Sequence, residues 1–477
     1  MAPALRLTLG VAAAMAPPPP QLPPEAPLAE ALAALRAARA SAVLATDAEG
    51  RAIGILTEQD VARRVAFALP PEAPLSAAMT APLIACAPGD ALWRAVALLH
   101  AHRLRHLPVL DAAGRCVGLL HRAEVLGAIA GRMLGHLDAL SGEDAAVKAA
   151  QAGLARALLD EGLPAPALVR LISEINLDLH RRVLARALAQ HGAPPVGFTL
   201  LVMGSAGRGE SLLRPDQDNG LILEPYPDAD HGAVDAWFRP FTETLAEGLD
   251  AAGFPLCPGN IMARNPLWRK TLAQWQAQFA YWARRRSGAA LLFADIAFDF
   301  RGVATAGAVP GDPAAALRAA IAPLLAAQPA LLSALAAQDR ALKVGLTLFG
   351  GFTDDEPGPG ARTDLKLHGL MPLVAAARLL ALQHGVAETG TPERLTALAA
   401  KGALAAGEAA ALEAGFATIL GALLRQQLAD HAAGQPPGNL VDTEALARAE
   451  RTALREALRA VRGFSKAAFA GFTGELW

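Results

Sequence analysis

Residues 200–223 read LLVMGSAGRGESLLRPDQDNGLIL, and they decide how the middle of this 477-residue chain folds. The apolar run Phe198 to Met203 predicts a strand that enters a small, flexible turn at Gly204-Ser205. Such a turn lets backbone N–H groups approach a phosphate with no Cβ in the way. Arg208 is placed to add a two-pronged guanidinium contact to the same phosphate. Asp216 and Asp218 follow. If they enter the strand that continues through Leu221, Ile222 and Leu223, its period of two puts both carboxylates on one face. Two hard oxygen ligands beside a phosphate cradle suit Mg2+ held jointly by protein and nucleotide. A DxD alone is mostly a solvated turn, and a Gly-Ser after a strand says less still. The specific signal is the order: strand, Gly-Ser, Arg, then DxD opening a second strand.

Outward from this motif the pattern is mixed α/β. Upstream, 145–190 has helical apolar spacing and is closed by Pro194-Pro195. Downstream, Asp235 to Ala252 and a tryptophan-bearing segment, Leu267 to Arg284, predict helices, and Leu291 to Phe300 predicts a strand. Beyond Pro313 the signal is almost wholly helical. Breaks at Asp354 to Arg362, Glu388 to Thr391 and Gly434 to Asn439 divide it into a bundle.

The N-terminal part repeats itself. Helix Leu28 to Arg39, strand Ser41 to Thr46, turn Asp47 to Gly50 and strand Ala52 to Leu56 have counterparts in helix Ala91 to His102, strand His106 to Leu110, turn Asp111 to Gly114 and strand Cys116 to Leu120. The two turns lie 64 residues apart, which predicts two packed copies of a small α/β module. Ahead of them, Arg6 and the apolar Leu7 to Ala16 loosely imitate a signal peptide. Gly10 and the run Pro17 to Pro20 favour a start segment and an extended proline linker instead.

Composition narrows the function. The net charge of −2 offers no overall basic field for nucleic acid, and aromatics are only 5%. Much of the 53% apolar fraction is alanine, and no uninterrupted apolar run of about 18 residues occurs to span a bilayer. Three scattered cysteines exclude a disulfide framework and a CxxC zinc site. These counts predict a soluble, cytoplasmic protein of several domains with no membrane and no nucleic-acid partner. His100, His102 and His106 straddle a predicted helix end and strand start, so they do not form a ligand set. Arg284 to Arg286 sits at a predicted helix end, where cations suit the dipole.

Two resemblances follow from these residues. The 200–223 segment resembles the nucleotidyltransferase superfamily of DNA polymerase beta type, which includes the uridylyltransferase of nitrogen signalling. The resemblance implies that Gly204 and Ser205 hold a nucleoside triphosphate and that Asp216 and Asp218 bind Mg2+ or Mn2+. It also implies a third carboxylate from a later strand. Asp299, in Phe298-Asp299-Phe300-Arg301, has the matching context, although Asp295 shares its strand parity. Residues 257–269 look like a second motif of that head. Thr363 to Lys366 and Thr391 to Leu395 look like motifs of a helical substrate-binding domain. Asn260, Arg264 and Lys366 are further candidates for touching nucleotide or acceptor.

The repeat resembles a pair of CBS modules, carried by residues 54–60 and by His106 to Val109 with Gly118 to Leu120. That resemblance implies Thr57 and Asp60 on the ribose and phosphate of AMP, ADP or ATP, with His121 and Glu124 at the equivalent places of the second copy. It also implies a homodimer. Thr57 is equally a good N-cap with an acidic first turn behind it. Ala206 departs from the superfamily, whose members often carry an acidic residue there, and no cyclic-nucleotide-binding domain precedes the pair, as it does in many relatives.

The expected fold is therefore α/β plus all-α: a tail and linker at 1–20, a tandem CBS pair at 21–135, a mixed-sheet nucleotidyltransferase domain at 140–310 and a helical substrate-binding bundle at 313–477. The expected activity is transfer of a nucleoside monophosphate to a protein or small-molecule acceptor with release of pyrophosphate. The competing expectation is a catalytically silent nucleotide sensor that signals through partner contacts.

Overall fold

A computed structural model describes residues 10–65, 68–102, 104–122, 125, 143–160, 162–326, 328–356 and 362–474. The expectations on Arg6 to Leu9 and on Glu124 lie outside these residues. The chain forms two compact units, Met1–Leu163 and Pro164–Trp477.

In the first unit, α1 (Leu28–Ala38) precedes the antiparallel pair β1 (Ala42–Thr46) and β2 (Ala52–Thr57). In the same way α2 (Leu92–Ala101) precedes the pair β3 (His106–Leu110) and β4 (Cys116–His121). The registers match: Ala42 faces Thr57 in one pair, and His106 faces His121 in the other. Apolar side chains set the core, with Leu28, Val43, Leu56 and Leu75 fully buried. A hydrogen bond of 2.7 Å between Ser41 Oγ and His106 Nε2 joins the copies. Burial, then the neighbouring His121, pushes the His106 pKa down to about 4, so this imidazole is neutral at pH 7. The segment expected as a tail is built into this unit from Gly10 onward. Val11 is buried and donates its N–H to Asp90 O, and Gln21–Leu22 adds a parallel strand beside β1. Buried apolar side chains and backbone partners explain why residues 10–22 do not behave as a linker. A further helix, α3 (Asp144–Asp160), closes the unit.

The second unit holds a mixed four-stranded sheet. Its strands are β5 (Phe198–Val202), β6 (Asn219–Leu223), β7 (Arg269–Thr271) and β8 (Arg301–Ala306), in the order β7-β6-β5-β8. Only the β6–β7 pair is parallel. One face packs on α6 (His231–Ala251), where Phe198 meets Phe238 and Phe241 edge-on at 5.5 Å. The long helix α4 (Ala165–His191) supports α6. Trp275, on α7 (Leu272–Arg285), donates its indole N–H to Leu221 O at 2.9 Å and pins β6 from the other side.

The strand expected over Leu291 to Phe300 is instead a helix, α8 (Gly288–Phe298), and the strand follows it as β8. An eleven-residue run rich in alanine and leucine and buried on most sides favours helix, and a short apolar run does not separate the two by periodicity. β8 escapes notice because it is an edge strand with few buried side chains.

The helical part has α9 (Pro313–Ala326), α10 (Pro329–Asp339), α11 (Met371–Gln383), α12 (Thr391–Ala400), α13 (Ala406–Ala432) and α14 (Arg448–Thr473). A two-stranded ribbon, Arg362–Asp364 with Leu440–Asp442, ties the start of α11 to the end of α13. Among the described residues α13 is long and apolar enough to cross a bilayer by length and composition. It packs against α4, α12 and α14.

Candidate active site

The sheet register gathers the chemistry at one end. Val202 pairs with Asn219 on one side and with Arg301 on the other. Gly204-Ser205, Asp218 and Asp299 therefore all lie just beyond the same row of residues. Gly204 has φ +58 and begins a single helical turn, α5 (Gly204–Arg208). A Cβ at Gly204 would sit 3.1 Å from Asp218 Oδ2, so the turn and the second aspartate are in contact and a side chain at 204 would crowd the carboxylate. The backbone adds a bond from Met203 N–H to Asp218 O at 2.8 Å.

The DxD lies just ahead of β6, which begins at Asn219, rather than within the strand, and burial alternates along it. Gln217 is fully buried and donates to Ala246 O and Phe254 O, at 2.9 and 2.8 Å. Asp216 is exposed and Asp218 half-buried on the opposite side. Burial raises the proton affinity of Asp218. A hydrogen bond from the Cys257 thiol opposes that, and the nearby Asp216 carboxylate adds to it. Two close hard oxygen donors whose mutual repulsion a cation would relieve fit a divalent metal bridging to a phosphate.

Asn219 anchors the second motif: its Oδ1 accepts from Ala263 N at 2.8 Å, and its own N–H donates to Ile261 O. The 254–263 segment thus braces the DxD strand and brings Cys257 to Asp218. Sequence reasoning missed Cys257 because a lone cysteine in a loop carries no spacing signal. Asn260 is the turn residue, with φ +53, and Arg264 pairs with Glu243 at 3.2 Å, so neither side chain is directed by a partner toward Asp218.

Asp299 differs from its expectation. It caps the end of α8 rather than riding a strand, and it is wholly buried. Its Oδ1 accepts from Arg394 at 2.6 Å, and its Oδ2 accepts from Arg208 at 2.8 Å and Arg378 at 2.7 Å. Burial alone would raise its pKa, but these three guanidiniums hold it well below the usual carboxylate range. Both of its oxygens are engaged by guanidiniums in this arrangement, and among the described residues no group of three His, Cys, Asp or Glu side chains is gathered as a metal site. The expected three-aspartate set is therefore reduced to the Asp216/Asp218 pair.

Arg208 is corrected with it. Its guanidinium is committed through Nε to Glu210 at 2.6 Å and through Nη1 to Asp299 at 2.8 Å, so its fork is spent on carboxylates rather than offered whole to a phosphate. Glu210 also accepts from Thr391 N–H at 2.6 Å, and Thr389 Oγ1 donates to Gly207 O at 3.1 Å. The Thr389–Arg394 segment of the bundle thereby grips the Gly-Ser turn. Lys366 stands at the same cavity as Ser205 and Arg208, a small one of about 40 Å3. Its charge bears on Asp218, and it makes no ion pair among the described residues.

In the first unit, Thr57 caps the helix that follows β2. Asp60 N–H donates to Thr57 Oγ1 at 3.3 Å, while Asp60 Oδ2 accepts from Thr57 N–H and Oγ1 at 3.0 and 2.7 Å. The two residues expected on a nucleotide are engaged with each other as a capping box. Asp60 lies close enough to His106 for its charge to act on that imidazole, so Thr57, Asp60, Ser41, His106 and His121 form one polar cluster.

A mixed-sheet nucleotide-type head under a helical domain, in a chain that also holds a paired small α/β module, defines the class. Residues 149–289 match the family described as "Putative nucleotidyltransferase DUF294" and residues 329–472 the "Putative nucleotidyltransferase substrate binding domain". Residues 11–66 and 75–131 match the CBS domain. The chain belongs to the CBS-containing proteins of this nucleotidyltransferase-like family. No curated protein matches it in sequence. Solved structures similar to it include a CBS domain protein from Pyrobaculum aerophilum complexed with AMP (24% identity, 24% of this chain and 89% of that one, TM-score 0.23). Another is a CBS-domain protein from Agrobacterium tumefaciens (30% identity, 24% and 90%, TM-score 0.22). A third is an uncharacterized conserved protein from Pyrococcus horikoshii (21% identity, 26% and 96%, TM-score 0.24).

Proposed function

We propose that the second unit transfers a nucleoside monophosphate from a nucleoside triphosphate to a protein or small-molecule acceptor and releases pyrophosphate. The observation that carries this reading is the contact of Gly204 with Asp218, with Ser205 and Lys366 facing the same small cavity. Gly204 admits the phosphates close to the backbone, Ser205 offers a hydroxyl, and Lys366 supplies charge at the phosphate end. Asp216 and Asp218 would hold Mg2+ or Mn2+, which when bound neutralises phosphate charge and lowers the pKa of an acceptor hydroxyl. The acceptor oxygen attacks the α-phosphorus, and the bond to the bridging oxygen of the leaving pyrophosphate breaks. The CBS pair, as a homodimer-forming sensor of AMP, ADP or ATP, would shift the population of active heads.

The test is pyrophosphate release from each of the four ribonucleoside triphosphates with Mg2+ and clarified extract as acceptor source, in wild type and in Asp216→Ala/Asp218→Ala. Release that vanishes in the variant supports the reading; equal release from both sinks it. A second reading has its own observation. Asp299 is held by three arginines, and the cavity at Ser205, about 40 Å3, is too small to enclose a nucleotide. A head fixed in that state would serve as a silent signalling module, and it would release no pyrophosphate with any triphosphate.

A further inference from the structure

A cavity of about 1020 Å3 lies between the edge strand β8, α9 and the segment that leads into α12, with Arg394 of the Asp299 cluster in its lining and Ser205 outside it. Its long wall is apolar. Ala315, Ala319 and Ala322 stand at i, i+4 and i+7 on one exposed face of α9, and Val303 and Val386 face them across the space. Its polar end is unusual. Arg394 is 2% exposed, uses Nε on Glu388 O and Nη2 on Asp299, and leaves Nη1 buried without a partner. Thr199, 3% exposed, also lines the cavity with a buried, unpartnered Oγ1. Arg318 lies over the Phe300 ring at 4.3 Å, donates to Phe300 O, and makes no ion pair among the described residues.

Buried donors left without acceptors cost on the order of 1–3 kcal/mol each, so two at one cavity call for a missing partner. The Arg394 and Arg318 guanidiniums are close enough to repel, and the carboxylate beside them, Asp299, is already shared with Arg208 and Arg378. An anion between the guanidiniums would relieve that repulsion and accept from Arg394 Nη1. Water alone would satisfy the donors but leave the alanine face wet.

We propose that this cavity binds an amphipathic anion, with a carboxylate or phosphate headgroup on Arg394 and Arg318 and an unbranched apolar body along Ala315, Ala319 and Ala322. The site is separate from Asp216 and Asp218, and its occupancy is read by binding, without turnover.

The experiment is calorimetric titration of the full chain with octanoate, octyl phosphate and octanol. At least one anion binds saturably below about 1 mM, and octanol binds about tenfold more weakly or not at all. The tighter of the two anions identifies the headgroup. Arg318→Gln weakens the anion about tenfold and leaves octanol unchanged. Ala319→Trp, a change at an exposed position that fills the cavity, abolishes binding while thermal melting stays that of the wild type. Saturation by neither anion overturns the proposal. So does anion binding that Ala319→Trp leaves intact, or octanol binding as tight as the anions.

Discussion

Asp218 and Asp299 stand at the same end of one sheet, just outside the paired row of Val202, Asn219 and Arg301, and they meet opposite surroundings. Asp218 is half-buried, faces the Gly-Ser turn, and receives a hydrogen bond from a thiol. Asp299 is sealed and accepts from three arginines, two of which lie 79 and 95 residues further along the chain. Strand order and parity fix where a carboxylate stands. Its chemical state is fixed by cations delivered from distant helices, and here those cations divide one expected metal set into an open pair and a buried keystone.

The sharpest way to break this contrast is to remove each side of it. Asp216→Ala/Asp218→Ala is expected to lower pyrophosphate release by on the order of 1000-fold or more, with little change in melting temperature, because neither side chain holds the fold. Asp299→Ala is expected to act on stability first. It leaves three buried guanidiniums without their common anion, a loss of about 3–5 kcal/mol measured by urea unfolding. If Asp299→Ala melted like the wild type, the keystone assignment would be wrong and Asp299 would return to the metal set. A smaller effect separates the two cations of the turn. Lys366→Met weakens triphosphate binding about tenfold at unchanged stability, since its ammonium is the uncommitted one. Arg208→Met instead destabilises, because it breaks the pairs with Glu210 and Asp299. Equal behaviour of the two variants in titration and melting would erase that distinction.

Much of this was readable from the residues in order. The strand, the Gly-Ser turn and the DxD were legible because local propensity and period two act over a few residues, and Gln217 turns inward as that period requires. The tandem module was legible because its turns repeat. What was not legible depended on distance. Nothing near Arg208 announces that Asp299, 91 residues away, will take up one arm of its guanidinium. The reading of Leu291 to Phe300 failed for another reason: an apolar run of that length fits a buried strand as well as a buried helix, and alanine content was the better guide.

The smallest expected effect tests how far the buried cluster extends. Asp339, on α10, is 5% exposed, and its Oδ2 has no hydrogen-bond partner among the described residues. Burial, then the neighbouring Asp295, pushes its pKa from 3.8 up to about 7, against the pull of Arg378. A carboxyl that keeps its proton when folded and loses it when unfolded contributes stability below pH 3.8, and that contribution drains away as the pH rises to about 7. Asp339→Asn carries no charge at any pH. At pH 8 it should melt a few degrees above the wild type, roughly 2–4 °C per kcal/mol regained, and the gain should shrink steadily below about pH 7 and vanish only near pH 3.8. Asp299, with its pKa held down by three arginines, has the opposite sign: its contribution is lost only in acid. Melting curves of Asp339→Asn that run parallel to the wild type from pH 5 to pH 8 would show that Asp339 is ionised throughout, and that Arg378 reaches it as fully as it reaches Asp299.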